Sequence, residues 1–235
     1  MKANKTALIT GASKGLGYAL AECLAKEGWN LLINARDTTA LVAANKRLAE
    51  FTKVIAIAGD VRDEIHLLEL AEALKKNQWH LDLLVNNVSA LGVSPLNPLL
   101  DHPVENLHTV FHTNMIAPVS LLQKVRPYFN KNAKIINVSS DAAKEAYETW
   151  GAYGGSKAGL EHMTAILGKE NPEYYFYAFD PGDMQTDMHQ SAFPDDDISD
   201  RPFPAELAVP AMFQLIEGNL PSGRYTIYSF EKQAV

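Results

Sequence analysis

Thr10-Gly11-Ala12-Ser13-Lys14-Gly15-Leu16-Gly17 is the stretch whose reading decides the fold. It follows an apolar run, Ala7-Leu8-Ile9. It precedes a helix-periodic segment in which Leu20 and Leu24 are interleaved with Ala19, Ala21 and Ala25. A strand, a glycine-rich turn and a helix are expected in that order. Glycines at such a junction let the backbone approach a phosphate, and the helix N-terminus behind them favours its charge. The spacing is G-x-x-x-G-x-G rather than G-x-G-x-x-G, so the turn alone is also compatible with simple packing of helix on strand.

Outward from this turn the pattern repeats. Thr6–Thr10, Leu31–Ala35, Val54–Ala58, Leu83–Asn86, Lys134–Val138, Tyr175–Phe179 and Tyr225–Tyr228 read as strands. Helical patterns such as Ile65–Lys76 and Gly159–Gly168 fill most gaps. Alternation of this kind implies an α/β fold, a Rossmann-like doubly wound parallel sheet of about seven strands with helices on both faces. Residues 1–235 read as a single domain. Ligands of such sheets bind beyond the carboxyl ends of the strands, where Gly11, Ala35, Asp60, Asn86, Ser140 and Pro181 all fall. Pro118 lies within a long helical pattern, Val104–Tyr128, and is expected to kink it or loosen a turn near Asn114. Ser191–Pro204 carries three prolines and Asp195, Asp196 and Asp197 with no apolar period, and a substrate lid or loop is expected around 184–204.

Composition narrows the classes. The chain has 235 residues, enough for a substantial core, and a net charge of −7, which gives a nucleic-acid role no electrostatic support. No run approaches a membrane span and the N-terminus shows no leader pattern, so a cytoplasmic location is expected. Cys23 is the single cysteine and excludes an internal disulfide. No metal site is expected.

Tyr153-Gly154-Gly155-Ser156-Lys157 places a phenol and an ammonium four residues apart, on one face of a helix. A free tyrosine titrates near 10, and a nearby ammonium is expected to bring it closer to neutral pH. Thirteen residues before Tyr153, Ile135-Ile136-Asn137-Val138-Ser139-Ser140 reads as a buried strand ending in a hydroxyl. Such a set suits acid–base work on a carbonyl/alcohol pair.

Together these segments resemble the short-chain dehydrogenase/reductase family, in its short single-domain branch, over nearly the whole chain. Thr10 to Gly17 is similar to its T-G-x-x-x-G-x-G. Asp60-Val61 resembles the pair that meets the adenine, and Asn86-Asn87-Val88-Ser89 its N-N-A-G, with Ser89 replacing a glycine. Asn114, Ser140, Tyr153 and Lys157 match the catalytic tetrad, and Pro181-Gly182-Asp183-Met184-Gln185-Thr186 its P-G-x-x-x-T. The resemblance implies that Gly11, Ser13, Lys14, Gly15, Leu16, Gly17, Ala35, Arg36, Asp60, Val61, Asn86, Asn87, Val88, Tyr153, Lys157, Pro181, Gly182, Met184 and Thr186 hold a nicotinamide dinucleotide. In the implied mechanism Ser140 polarises a carbonyl, Tyr153 gives the proton, Lys157 lowers the tyrosine pKa, and Asn114 fixes a relay water. The family spacing of thirteen selects Ser140 over Ser139, which faces the other way on a strand.

The end of the second strand chooses between cofactors. Ala35 stands where NAD users of the family carry an aspartate, and Lys14 and Arg36 suit a 2′-phosphate, so NADP (NADPH) is expected. Asp37 can pair with Arg36 and weaken its pull. Ser89, Ala90, Leu91, Asp141, Tyr147, Trp150, Asp183, Met184 and Met188 are candidate pocket residues for a small carbonyl/alcohol substrate, a hydrophobic or aromatic ketone by their composition. The chain ends soon after Tyr228 without the glycine-rich tail of many tetrameric relatives, so a homodimer through Val104–Tyr128 and Tyr153–Gly168 is expected ahead of a tetramer. The alternative class is a dinucleotide-binding redox sensor or scaffold, a reading that the presence of all four catalytic residue types disfavours.

Overall fold

Side chains alternate between the two faces of a strand, and the central strands here are apolar on both, so both faces need cover. The computed structural model describes residues 4–230. Its strands are β1 Thr6–Thr10, β2 Asn30–Ala35, β3 Val54–Ala58, β4 Leu81–Asn86, β5 Phe129–Val138, β6 Tyr175–Asp180 and β7 Gly223–Thr226. All pair in parallel, in the order β3-β2-β1-β4-β5-β6-β7. The chain winds one way from β1 to β3 and the other way from β4 to β7. This leaves a topological switch point between β1 and β4, where a ligand crevice is expected.

Helices α1 Gly15–Lys26, α2 Thr38–Leu48 and α3 Glu64–Lys76 follow the first three strands. After β4 come α4 Val104–Phe111, α5 Ala117–Val125, α6 Gly151–Glu170, α7 Asp187–Ala192 and α8 Ala208–Glu217. The period-2 alternation divides the core. Ala7, Ile9, Ile33, Val85 and Ile136 pack under α1 and α8, whereas Leu8, Leu32, Leu84 and Ile135 pack under α3 and α5. No helix among the described residues is long and apolar enough to cross a membrane.

Three departures from the sequence expectation have local causes. The long helix Val104–Tyr128 is divided by a π-helical turn at His112–Ile116 and ends in a 3-10 turn, Arg126–Tyr128. Pro118 has no N–H to give the carbonyl four residues back, at Asn114, and the Ala117 N–H reaches His112 instead. The last strand is Gly223–Thr226, not Tyr225–Tyr228. Thr226 N–H donates to Ser229 Oγ and Tyr228 N–H to Thr226 Oγ1, which turns Ile227–Phe230 into a 3-10 helix. Ser191–Pro204, expected without regular structure as part of a substrate lid or loop, begins in α7 and is pinned by the residue before it. Gln190 Nε2 donates to the carbonyls of Phe193, Pro194 and Asp196, and Ile198 is buried.

Candidate active site

The glycine turn sits at the carboxyl end of β1 because its backbone must fold back against the next strand. Gly11 has φ of +66°, and a Cβ there would meet Asn87 Nδ2 at 2.9 Å. A Cβ on Gly17 would lie 2.4 Å from the Gly11 carbonyl, so only glycine lets α1 close onto the turn. Asn87 clamps the arrangement. Its Nδ2 donates to the carbonyls of Thr10 and Gly11, while the N–H groups of Asn87 and Val88 donate to Thr10 Oγ1. The result is a cleft of about 530 Å³ running from Arg36 to Trp150. Its glycine end is a backbone cradle with a helix N-terminus behind it, which fits the pyrophosphate of a dinucleotide.

At the β2 end of the cleft, Asp37 accepts from Ala40 N–H and caps α2. The ion pairs among the described residues do not include Arg36. Lys14 pairs with Asp187 at the start of α7, both side chains being largely exposed. Asp60 is held bidentately by Arg62, which keeps its carboxyl at about 2.

At the other end, α6 brings Tyr153 and Lys157 one turn apart beneath the end of β5. Lys157 Nζ donates to the Val138 carbonyl at 2.6 Å and lies 5.5 Å from the centre of the Tyr153 ring. The two serines point apart. Ser139 Oγ donates to the buried Glu161, while Ser140 Oγ donates to Asp141 Oδ1 at 2.9 Å in the cleft. Tyr153 lines the same cleft as Ser140 and Ser89. Asn114 is fully buried, and its amide is consumed by protein. Nδ2 donates to the Ala90 carbonyl and Ser156 Oγ, and Oδ1 accepts from Ala90 N–H and Ser89 Oγ.

Electrostatics correct one expectation. Burial pushes the Tyr153 hydroxyl up to about 12, against the Ser89 and Ser140 hydrogen bonds that pull it down. Lys157 was expected to lower it. However, burial draws Lys157 itself down to about 7, with only Glu161 opposing. A lysine drawn toward neutrality is a weak source of positive charge, and desolvation of the phenol wins.

Most of the sequence-predicted residues meet in this one cleft. Gly11, Ser13, Lys14, Gly15, Leu16, Ala35, Arg36, Asn87, Val88, Ser89, Leu91, Ser140, Asp141, Trp150, Tyr153, Lys157, Pro181, Gly182, Asp183, Met184, Thr186 and Met188 line it. Gly17, Asp60, Val61, Asn86, Ala90, Asn114 and Tyr147 stand outside the lining. Asn86 Nδ2 donates to Asn137, which donates to Thr164 of α6. Tyr147 is exposed and donates to Asp141 Oδ2. Sequence reasoning missed Val138, Asp180, Gln185, Asp187 and His189 in the lining. It also missed a support beneath the cleft. Arg224 of β7 donates to Glu161 on α6 and to Asp180, the residue before Pro181-Gly182. The position of Glu161 one turn after Lys157 was the available signal, since it continues the Tyr153–Lys157 stripe.

A parallel sheet with a glycine turn at its switch point and an acid–base helix beside it defines a dinucleotide-binding oxidoreductase fold. Residues 5–197 match the short chain dehydrogenase family, and the chain belongs to that family. It is 31% identical over 191 residues to a diacetyl reductase, (S)-acetoin forming, of Staphylococcus epidermidis, covering 79% of this chain and 73% of that protein. It is 34% identical over 175 residues to the rhamnolipids biosynthesis 3-oxoacyl-acyl-carrier-protein reductase of Pseudomonas aeruginosa, covering 72% and 67%. Among solved structures, the Pseudomonas aeruginosa RhlG/NADP complex superposes with a TM-score of 0.85 at 25% identity, covering 97% of this chain and 96% of that one.

Proposed function

We propose that the protein is an NADP(H)-dependent oxidoreductase that interconverts a carbonyl and an alcohol, with Tyr153 as the acid/base. One observation carries this reading: Ser140, Tyr153 and Lys157 line the cleft that the glycine turn opens into. The RhlG complex with NADP and the reductases among the relatives support it. For the cofactor, the supporting facts are the small Ala35, an Arg36 outside the ion pairs among the described residues, and an Asp37 already committed to capping α2. Arg36 can then bind a 2′-phosphate bidentately.

When bound, the nicotinamide supplies the hydride in reduction and takes it in oxidation. Gly11, Ser13, Gly15 and Leu16 would hold the pyrophosphate; Pro181, Gly182, Met184 and Thr186 would hold the nicotinamide side. Ser140 turns its hydroxyl from Asp141 to the substrate oxygen, where the bond strengthens as charge develops. Tyr153, fully protonated at neutral pH given a value near 12, gives its proton to that oxygen. Lys157 holds the ribose hydroxyls and reloads the phenol. Asn114 acts through its neighbours, because its amide is bonded to Ala90, Ser89 and Ser156. The loosened turn at His112–Ile116 leaves a backbone carbonyl for the relay water. We assign the segment around 184–204 as the lid. Exposed Val104, Ile116 and Ile166 on the α4–α5 and α6 surfaces support a homodimer there.

The test is a screen of ketones and aldehydes followed by the loss of NADPH absorbance. A ketone that oxidises NADPH with wild type and not with Tyr153→Phe is the expected result. If no carbonyl is reduced faster by wild type than by the variant, the reading fails. A sedimentation measurement giving a monomer at micromolar concentration would remove the dimer.

A further inference from the structure

Asp141 is a carboxylate set directly against the serine that would polarise the substrate. Its Oδ1 accepts from Ser140 Oγ at 2.9 Å and from Ala142 N–H at 2.8 Å. Its Oδ2 accepts from Tyr147 hydroxyl at 2.9 Å. An ionised carboxyl has about four acceptor positions, so three are filled and one on Oδ2 is open. The ion pairs among the described residues bring no cation to this carboxylate. It is exposed at the cleft wall. Aromatic rings close that end: Trp150 lies edge-on to Tyr153, with ring centres 5.5 Å apart, and Phe193 lies 5.8 Å from Trp150.

Geometry then limits what can sit beside the reacting carbon. A carbonyl oxygen that accepts from Ser140 Oγ takes the single hydroxyl proton from Asp141 Oδ1, which stays beside that oxygen. Two atoms each within hydrogen-bonding distance of one oxygen lie within about 6 Å of each other. A group on the carbon next to the carbonyl can then reach the carboxylate. A hydroxyl or ammonium there would occupy the open position on Oδ2, or replace Ser140 on Oδ1 and free the Ser140 hydroxyl for the carbonyl. A carboxylate in its place would face a like charge, which disfavours it.

Resting on the reading of the site as a carbonyl reductase, we propose that Asp141 selects substrates bearing a hydrogen-bond donor on the carbon next to the carbonyl, and rejects those in which that carbon is itself a carboxylate. The protein is thus a reductase of α-hydroxy or α-amino ketones with an aromatic or apolar body, and α-keto acids are excluded.

Three ketones of nearly equal shape test this: 2-hydroxyacetophenone, propiophenone and phenylglyoxylate, each assayed with NADPH. In wild type, kcat/KM is expected to fall in that order, by about tenfold or more at each step. In Asp141→Asn the ratio of 2-hydroxyacetophenone to propiophenone is expected to drop at least fivefold, while the ratio of phenylglyoxylate to propiophenone rises at least tenfold. Opposite movements in one variant cannot come from partial unfolding. Wild-type turnover of propiophenone with no preference among the three overturns the inference and leaves the reductase reading intact. If none of the three is reduced, the reductase reading fails for this class, and calorimetric binding of the same compounds to the protein with NADP decides the inference. Tightest binding of 2-hydroxyacetophenone supports it; tightest binding of phenylglyoxylate, or binding of none, overturns it.

Discussion

The two ends of the cleft handle charge in opposite ways. At the β2 end, Lys14 and Arg36 are exposed. At the β5 end, Lys157, Tyr153, Glu161 and Asp180 are each less than a tenth exposed. An exposed cation acts by attracting an anion, so it governs which molecule binds. A buried ionisable group is moved from its ordinary value, so it governs what happens to the molecule once bound. The first arrangement needs few supports. The second needs many, and Ser139, Glu161, Arg224 and Asp180 form that support, as a chain of hydrogen bonds from β5 through α6 and β7 to the end of β6.

The sharpest way to separate the two ends is Tyr153→Phe. The ring and its packing against Trp150 stay, and the only hydroxyl placed to pass a proton goes. Turnover is expected to fall by about 10²–10⁴-fold. NADPH affinity, set at the other end, is expected to stay within a few-fold when titrated by fluorescence. Loss of binding on the same scale as loss of turnover would show that the ends are not separable. Unchanged function in cells would favour the sensor class.

The serine pair comes next. Ser140→Ala is expected to lower kcat by about 10²-fold, the size of a donor that acts on developing charge. Ser139→Ala removes a donor from Glu161 but leaves Arg224 on the same oxygen. It is expected to cost about 1 kcal/mol of stability in urea unfolding, with kcat little changed. The reverse ranking of the two kcat values would break the assignment of faces at the end of β5.

The two ends were also unequally legible in the sequence. The alternation of strands and helices, the glycine turn and the shared face of Tyr153 and Lys157 follow from spacing, because helix and strand periods fix which side chains share a face; the choice of Ser140 came from the family resemblance. Each expected strand overlaps an observed one, although β5 starts at Phe129 rather than Lys134. The seventh slid because two hydroxyls, Thr226 and Ser229, offered the backbone a turn. Pro118 announced the loosened turn, since a missing N–H is written in the sequence. Burial is not written there. The expected fall in the Tyr153 pKa rested on Lys157 and the nicotinamide in a partly desolvated site, and the folded surroundings bury both Tyr153 and Lys157. The Asp180–Arg224–Glu161 support was hidden for another reason. Arg224 lies 63 residues from Glu161 and joins it only through the pairing of β6 with β7.

Arg36→Ala addresses the exposed end. Losing a charge-assisted, bidentate contact is expected to weaken NADPH binding by about 1.5–3 kcal/mol. NADH binding is expected to change much less. Titration of both cofactors against both proteins checks this, and equal wild-type affinities for NADPH and NADH would remove the phosphate from the argument.

Glu161→Gln tests the buried support through pH. Burial lowers Lys157 to about 7, and Glu161 is the charge that opposes the fall. A lysine loses its charge as pH rises through its folded value. Removing Glu161 lowers that value further, so charge is lost at lower pH. The alkaline limb of kcat/KM for ketone reduction is expected to move down by about one unit, the lower end of the effect of a close opposite charge. Lys144 and Arg224 are left facing the neutral amide, which pushes in the same direction. A lower melting temperature with an unmoved pH profile would make Glu161 purely structural.

The smallest effect is expected at Lys14, and its smallness is the point. Sequence alone ranks Lys14 with Arg36 as a phosphate ligand, but the structure gives Lys14 a prior partner in Asp187 across the mouth of the cleft. Both side chains are more than two-thirds exposed, so the pair itself is worth at most about 1 kcal/mol and is screened by salt. To meet a 2′-phosphate, the ammonium must leave Asp187 or share itself with it, and the exchange of one anion for another returns little. Lys14→Ala is therefore expected to weaken NADPH binding by no more than about 1 kcal/mol, well below Arg36→Ala. Asp187→Asn, which releases Lys14, is expected to tighten NADPH binding slightly at low ionic strength and not at all near 1 M salt, where the screening length is about 3 Å. A Lys14→Ala loss as large as that of Arg36→Ala would mean that the cofactor breaks the bridge outright, and that the exposed end is as closely built as the buried one.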